Sequence, residues 1–326
     1  MANYKDIHGV NIETVTSNPD NPANGQVWYN STDQKLRANS QITAGAWASG
    51  GSVNAARQLP MGAGSQTAGL MAGGNPGSTA ANELYNGTSW TEVANLNTGR
   101  HAAAASGITN TAVLGFGGYS TAYGAITESW NGTSGTEVGD MSTSRTTLGG
   151  AGTNTSALGF GGNDSGTATN ITESWNGSSW TEVSDLNLSR WEVYGQGSSN
   201  TAALCIGGQS PGGTYANNEN WNGSSWTEVA DVNSAKTKGA AAGQSNTAVL
   251  VFGGNPSPGQ NAKTEEWNGT GWTEIGDLST GRRELGGAGI VTAAVGFSGE
   301  TPSALTTATE EFAAAGADDT KEFDLS

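Results

Sequence analysis

Trp175-Asn-Gly-Ser-Ser-Trp180-Thr-Glu-Val183 decides the fold of this chain, because it recurs at an almost constant interval. Its first aromatic falls at Tyr85, Trp130, Trp175, Trp221, Trp267 and Phe312, in steps of 45, 45, 46, 46 and 45 residues. Self-similarity at such a period marks a repeat architecture, in which each unit buries its apolar face against a neighbour. Working outward, a glycine pair precedes each motif at Gly73-Gly74, Gly117-Gly118, Gly161-Gly162, Gly207-Gly208 and Gly253-Gly254, with Ser298-Gly299 as the worn sixth copy. A base opens each repeat at Arg57, Arg100, Arg145, Arg190, Lys236 and Arg282.

One repeat reads as four strands. Residues 100–107 are small and apolar, as expected of a strand crowded near an axis, and residues 111–118 are an apolar run ended by glycines. Residues 126–130 alternate, and residues 136–141 are the most polar. Asn131-Gly132, between the last two, offers the positive φ angles of a type I′ hairpin turn. Helical periodicity is absent. The expected fold is therefore all-β, a six-bladed propeller of four-stranded antiparallel blades.

Closure is legible too. Trp47 precedes Arg57 by the same ten residues that separate Trp90 from Arg100, yet Trp47 has no strands of its own before it. It is expected to supply the missing fourth strand of the last blade, with Lys321-Glu-Phe-Asp-Leu325 as the rival. The chain is expected to divide into an N-terminal arm, 1–46, carrying a hairpin over residues 26–37, and a propeller, 47–326.

Composition excludes several classes. With 29 acids against 13 bases the net charge is −16, which disfavours nucleic acid and anionic membrane surfaces. No apolar run approaches the ~20 residues that span a bilayer, so no membrane insertion is expected. The first residues lack the basic and apolar regions of a secretory signal, and a lone Cys205 permits no intramolecular disulfide, so synthesis in the cytoplasm is expected. Gly numbers 51, and 34% of residues are hydrophobic, but 11 tryptophans, each burying roughly 150–250 Å², can carry the packing.

Residues present once per repeat are expected to build the repeat. Glu83, Glu128, Glu173, Glu219, Glu265 and Glu310 could line a cation channel, but pairing with the six bases is the plainer reading, since buried charges need partners. Glu92, Glu137, Glu182, Glu228 and Glu274 read as a charged outer edge that deters aggregation. Asn86, Asn131, Asn176, Asn222 and Asn268 head Asn-x-Ser/Thr sequences, read as turn chemistry rather than glycosylation. The irregular aromatics Tyr119, Tyr123, Trp191, Tyr194 and Tyr215 are the candidate binding residues. Variable segments near 75–81, 119–125, 163–169, 209–217, 255–263 and 300–307 are the expected recognition surface, because loops carry function.

The glycine pairs and the spaced aromatics resemble kelch repeats, from about Trp47 onward. Here the two aromatics stand five apart, and Gly135 replaces the second of them in one blade, which is expected to pack less tightly. Kelch-type propellers include copper oxidases resembling galactose oxidase, which need histidines and a Cys-linked tyrosine. This chain offers only His8, His101 and Cys205, so no metal or cofactor is expected. Sialidase-like hydrolases also use six blades, but Asn-Gly-Thr-Ser-Trp only loosely echoes the Asp-box Ser-x-Asp-x-Gly-x-Thr-Trp. Glycosidases need two carboxylates about 5–10 Å apart, and no carboxylate pair outside the repeats stands out.

Gly25-Gln-Val-Trp-Tyr-Asn-Ser-Thr32, followed by Lys35-Leu-Arg37, resembles the hairpin modules of bacteriophage tail-fibre and other virion proteins. Together with the repeats it resembles virion proteins of marine and cyanobacterial phages. The resemblance implies a non-enzymatic structural or adhesion protein of the virion: a tail fibre, tail appendage or capsid decoration. It would be anchored to other virion proteins through residues 1–46, with Val27, Trp28, Tyr29 and Leu36 in the anchor. The propeller would face a host cell-surface glycan or protein, and homo-oligomers are compatible with this. A polysaccharide-degrading virion hydrolase and a kelch-type protein–protein adaptor are the alternatives. A plain N-terminal strand docking on the propeller is the simpler reading of the hairpin.

Overall fold

The computed structural model describes residues 12–19, 26–41, 45–255, 261–315 and 318–323. No helix occurs among them. The chain forms two compact units, Met1–Gly45 with Ala313–Ser326, and Ala46–Phe312.

The larger unit holds six four-stranded sheets, five of them antiparallel throughout. Met61–Ser65, Ala68–Ala72, Asn82–Tyr85 and Trp90–Val93 form one, in that order, and four later repeats copy it. The remaining sheet takes Gly286–Ile290, Ala293–Phe297 and Thr309–Ala313 from the end of the unit and Ala46–Gly50 from its start. Trp47 thus lies in the fourth strand of that sheet. First strands neighbour one another in chain order, and the last, Gly286–Ile290, also lies beside the first, Met61–Ser65. The arrangement is propeller-like. Close approach explains the small residues of these strands: a Cβ on Gly62 would meet the Gly287 carbonyl oxygen at 2.5 Å.

Each repeat is stapled to itself and to the next. Arg145 donates to Glu173 at 2.8 Å and to the carbonyls of Gly161 at 2.8 Å and Ile171 at 2.6 Å, with both charged side chains buried. The other Glu173 oxygen accepts the Ser142 N–H at 2.7 Å, so one carboxylate holds the whole incoming segment. Arg57–Glu83, Arg100–Glu128, Arg190–Glu219, Lys236–Glu265 and Arg282–Glu310 pair in the same way. These contacts place the bases before the first strands rather than inside them: Arg100 precedes a strand that begins at Ala104.

The second glycine of each pair donates to the carbonyl of the next base, as Gly118 does to Arg145 at 2.8 Å, and Gly299 returns to Arg57 at 2.8 Å. Both Gly73 (φ 65°) and Gly74 (φ 119°) occupy left-handed backbone that favours glycine. Ser298 (φ 58°) replaces the first glycine of the worn copy, and its hydroxyl donates to the Arg57 carbonyl at 2.7 Å.

The aromatics lock sheet to sheet. Trp180 packs on Phe116 of the preceding sheet at 4.8 Å and donates to Thr127 Oγ1 at 3.0 Å; Trp226 does the same with Phe160 and Thr172. Gly135 has no ring to offer, and a small apolar cavity lined by Leu70, Ala72, Val113, Trp130 and Gly135 lies there.

The Asn-Gly turn differs from the type I′ expectation. Trp175 pairs with Trp180, leaving a four-residue loop in which Gly177 (φ 96°) has positive φ and Asn176 does not. Asn176 Oδ1 instead accepts the N–H groups of Ser178 and Ser179, each at 3.0 Å, a side-chain turn that needs only one glycine.

The smaller unit is a sheet in the order Glu13–Val15, Val27–Asn30, Lys35–Gln41, Asp318–Phe323. The hairpin turns at residues 31–34. Asp318–Phe323 pairs with Lys35–Gln41, so the C-terminal strand goes with the arm, correcting the 47–326 boundary and the rival closure. Trp28 is 1% exposed and donates to Asn18 Oδ1 at 3.2 Å, so it is a core residue rather than an open anchoring contact. Val27, Tyr29 and Leu36 are half-buried. His8, the turn-rich residues 20–25, residues 256–260 of one variable segment and Leu325 lie outside the described residues.

Candidate functional site

Two residues after each base stands a residue in left-handed backbone: Leu59, Ala102, Thr147, Glu192, Lys238 and Glu284, with φ between 51 and 59°. None is glycine, and strained backbone of this kind persists only where its surroundings impose it. Here the imposing contacts are backbone bonds between repeats. Leu59 N–H donates to Glu284 at 2.8 Å, Ala102 to Leu59 at 3.0 Å, Thr147 to Ala102 at 2.7 Å, Glu192 to Thr147 at 2.8 Å, and Glu284 to Lys238.

All six line a cavity of about 130 Å³. Their order makes Leu59, Ala102 and Thr147 its uncharged half and Glu192, Lys238 and Glu284 its charged half. Lys238 Nζ lies 3.0 Å from Glu284 Oε1 and 3.5 Å from Glu192 Oε1. Glu192 Oε2 accepts a bond from Gln209 Nε2 at 2.8 Å. Burial pushes the Glu192 carboxyl above its ordinary range, against the opposing pull of Lys238. Burial alone would lower the Lys238 ammonium, but the two carboxylates hold it above its usual value. Three polar groups converging on a partly apolar hollow, with Glu192 and Lys238 shifted from their ordinary acid–base ranges, are the usual marks of a ligand site.

The variable segments share this face. The residue after each base forms an antiparallel bridge with the first residue of a variable segment: Gln58 with Asn75, His101 with Tyr119, Thr146 with Asn163, Trp191 with Gln209, Thr237 with Asn255, and Arg283 with Glu300. Every loop therefore starts beside the strained positions. Tyr119 stands edge-on to Tyr123 at 5.6 Å and tilted against His101 at 5.5 Å. Burial pulls His101 below its ordinary value, leaving a neutral imidazole beside Ser78 Oγ, 3.0 Å from Nδ1. Trp191 is half-buried, and Tyr215 shares a hydrogen bond with Ser210 at 2.8 Å.

Tyr194 is placed differently from the other four aromatics. It lies on the first strand Tyr194–Ser199, 5% exposed, packed with Leu204, Ile206 and Val251, and its hydroxyl accepts the Gly239 N–H at 3.0 Å. Its ring packs in the core, and the residue also lines the cavity of about 130 Å³, so Tyr194 does stand at the candidate site but without an open stacking face. Sequence reasoning missed Glu192, Lys238 and Glu284. The signal was present: at a fixed offset from the base, three copies carry charges and three do not.

No family model matches the chain, and no curated protein matches it. Among solved structures it is similar to YjhT, with a TM-score of 0.67 and 14% identity over 83% of this chain and 99% of that one. At such identity the likeness supports an all-β, propeller-like fold and carries nothing about chemistry.

Proposed function

We propose that the chain is a non-enzymatic bacteriophage adhesion protein, a six-bladed kelch-like propeller closed by the Ala46–Gly50 strand and carried on a virion-anchoring arm. The observation that carries this reading is the contrast between the six uniform sheets and the six dissimilar loops on one face. A scaffold that repeats while one rim varies is how loop-borne recognition is built. The separate sheet containing the Val27–Asn30 and Lys35–Gln41 hairpin supports an independent attachment module. The loops present half-buried tyrosine and tryptophan beside neutral polar groups, a chemistry suited to host surface glycans. Purified protein is expected to bind bacterial surface polysaccharide without releasing reducing ends, and deletion of residues 1–40 to abolish incorporation into particles. Incorporation of the truncated chain would refute the anchoring role.

A hydrolase reading has one observation in its favour, the carboxyl of Glu192 raised by burial near Glu284. Both carboxylates face the same ammonium, however, and are held as an ion-paired cluster. Turnover of polysaccharide that is lost in Glu192→Gln would replace the adhesion reading.

A further inference from the structure

The sheet closed by the borrowed strand differs from the other five where its third and fourth strands meet the incoming segment. Val93, Val183, Val229 and Ile275 end the fourth strands, Val138 directly follows one, and several of these pack on the core. Gly50 replaces them. Glu92 and its counterparts become Ser49, and Asp140, Asp185 and Asp277, which accept the N–H groups of Thr127, Thr172 and Thr264, become Ser52. On the incoming segment, Asn54, Asn97 and Asn187 reach across to the carbonyls of Trp90, Gly135 and Trp226, whereas Ser279, like Ser142 at the third sheet, is too short to do so. The valine, glutamate, aspartate and asparagine that most other repeats carry at these positions are missing together only here, the third sheet sharing just the serine.

What results is a pocket of about 190 Å³ lined by Ser49, Gly50, Ser52, Ser279, Thr280, Thr301, Thr306 and Thr309 over a floor of Arg282 and Glu310. It exceeds the ~150 Å³ engineered cavity that accepts benzene, so a six-membered ring fits. Among the described residues, the hydroxyls of Ser49, Ser52, Ser279 and Thr280 make no hydrogen bond. Arg282 and Glu310 neutralise each other at 2.8 Å, and Glu310 also accepts the Ser279 N–H at 2.7 Å, so the floor presents no net charge. Arg282 is fully buried with its Nε unpartnered, a feature shared with Arg57, Arg100, Arg145 and Arg190.

We propose that this seam pocket binds one neutral pyranose residue of a surface glycan. A fringe of free hydroxyls that can both donate and accept matches a ring bearing hydroxyls, and a floor without net charge selects neither acid nor amine. The pocket includes Thr301 and Thr306 of the last variable segment, so it extends the loop face. The proposal rests on the adhesion reading for its biological meaning, though not for its chemistry.

The test uses the full chain and methyl α-glycosides of glucose, galactose and mannose, with N-acetylneuraminic acid as the anionic control, read by saturation-transfer NMR. At least one neutral glycoside is expected to bind with Kd of about 1–10 mM, as suits hydrogen bonds without an aromatic platform. Ser279→Asn and Ser52→Asp install residues that other repeats already carry, and each is expected to weaken binding at least about tenfold, or 1.4 kcal/mol, with Tm unchanged. Absence of neutral binding, equal binding of the acid, or wild-type affinity in both variants overturns the proposal. Binding to bacterial cells is measured separately. Cell binding without glycoside binding sinks the pocket alone, whereas glycoside binding without cell binding sinks the adhesion reading alone.

Discussion

Glu173 and Glu192 are both half of a glutamate–base pair, and they show how differently one interaction serves two places. Glu173 is fully buried, pairs with Arg145 at 2.8 Å and has a counterpart in every repeat. Glu192 is partly open, shares Lys238 with Glu284, and has Leu59, Ala102 and Thr147 at three of the equivalent positions. Repetition identifies the first as framework. The second departs from its own repeat while tolerating strained backbone, which is what a site on a scaffold looks like.

The contrast is broken most forcefully at the framework. Arg145→Ala leaves Glu173 buried without its counter-ion and is expected to destabilise the larger unit by about 3–5 kcal/mol, read from urea midpoints. A loss below about 1 kcal/mol would mean that the staples are dispensable and that repetition is a poor guide to structural role. Next in size, Trp180→Gly reproduces at the third sheet what Gly135 already is at the second. It removes the packing on Phe116 and the bond to Thr127, for an expected loss of about 3 kcal/mol. A negligible loss would show that the cavity beside Gly135 has no energetic meaning.

These two residues also show why the sequence was so readable. The sheets are made of side chains that return every 45 or 46 residues, so a misjudged copy is corrected by its siblings. Trp47 could be placed because its distance to Arg57 matched Trp90 to Arg100, and its strand does complete the last sheet. The turn type was misread because Asn-Gly is compatible with more than one loop, and the side chain of Asn176 takes over the role of a second positive φ. Tyr194 lines the cavity as an irregular aromatic, but its strand position, which no one-dimensional pattern shows, sends the ring into the core. Glu192, Lys238 and Glu284 escaped notice because each is ordinary by itself; only the inter-repeat backbone bonds bring the three to one cavity.

A smaller gain tests the framework from the other side. Lys236 fills an arginine position but makes only its pair with Glu265 among the described residues, whereas Arg282 also reaches the carbonyls of Ser298 at 3.2 Å and Ala308 at 2.8 Å. Lys236→Arg is expected to stabilise by about 1 kcal/mol, the worth of a net hydrogen bond. No change, or a loss, in thermal unfolding would indicate that the fifth sheet is built around the shorter base.

The smallest effect is the most specific to the site. A carboxyl whose pKa is higher folded than unfolded favours the folded state when protonated, so the contribution of Glu192 is greatest below its unfolded value, about 4.3, and declines as pH rises through its folded value. Glu192→Gln retains an acceptor for Gln209 and cannot ionise. It should match wild type near pH 4 and exceed it by about 1–2 °C in Tm, roughly 0.5 kcal/mol, at pH 8. Glu173→Gln, which weakens a saturated buried pair, should instead destabilise at pH 8. If Glu192→Gln also lowers Tm at pH 8, pairing with Lys238 outweighs burial, and the cluster is framework after all. A gap that opens with pH in the expected direction marks Glu192 as a charge held against its own stability, and so as the residue to substitute first when ligand binding is measured.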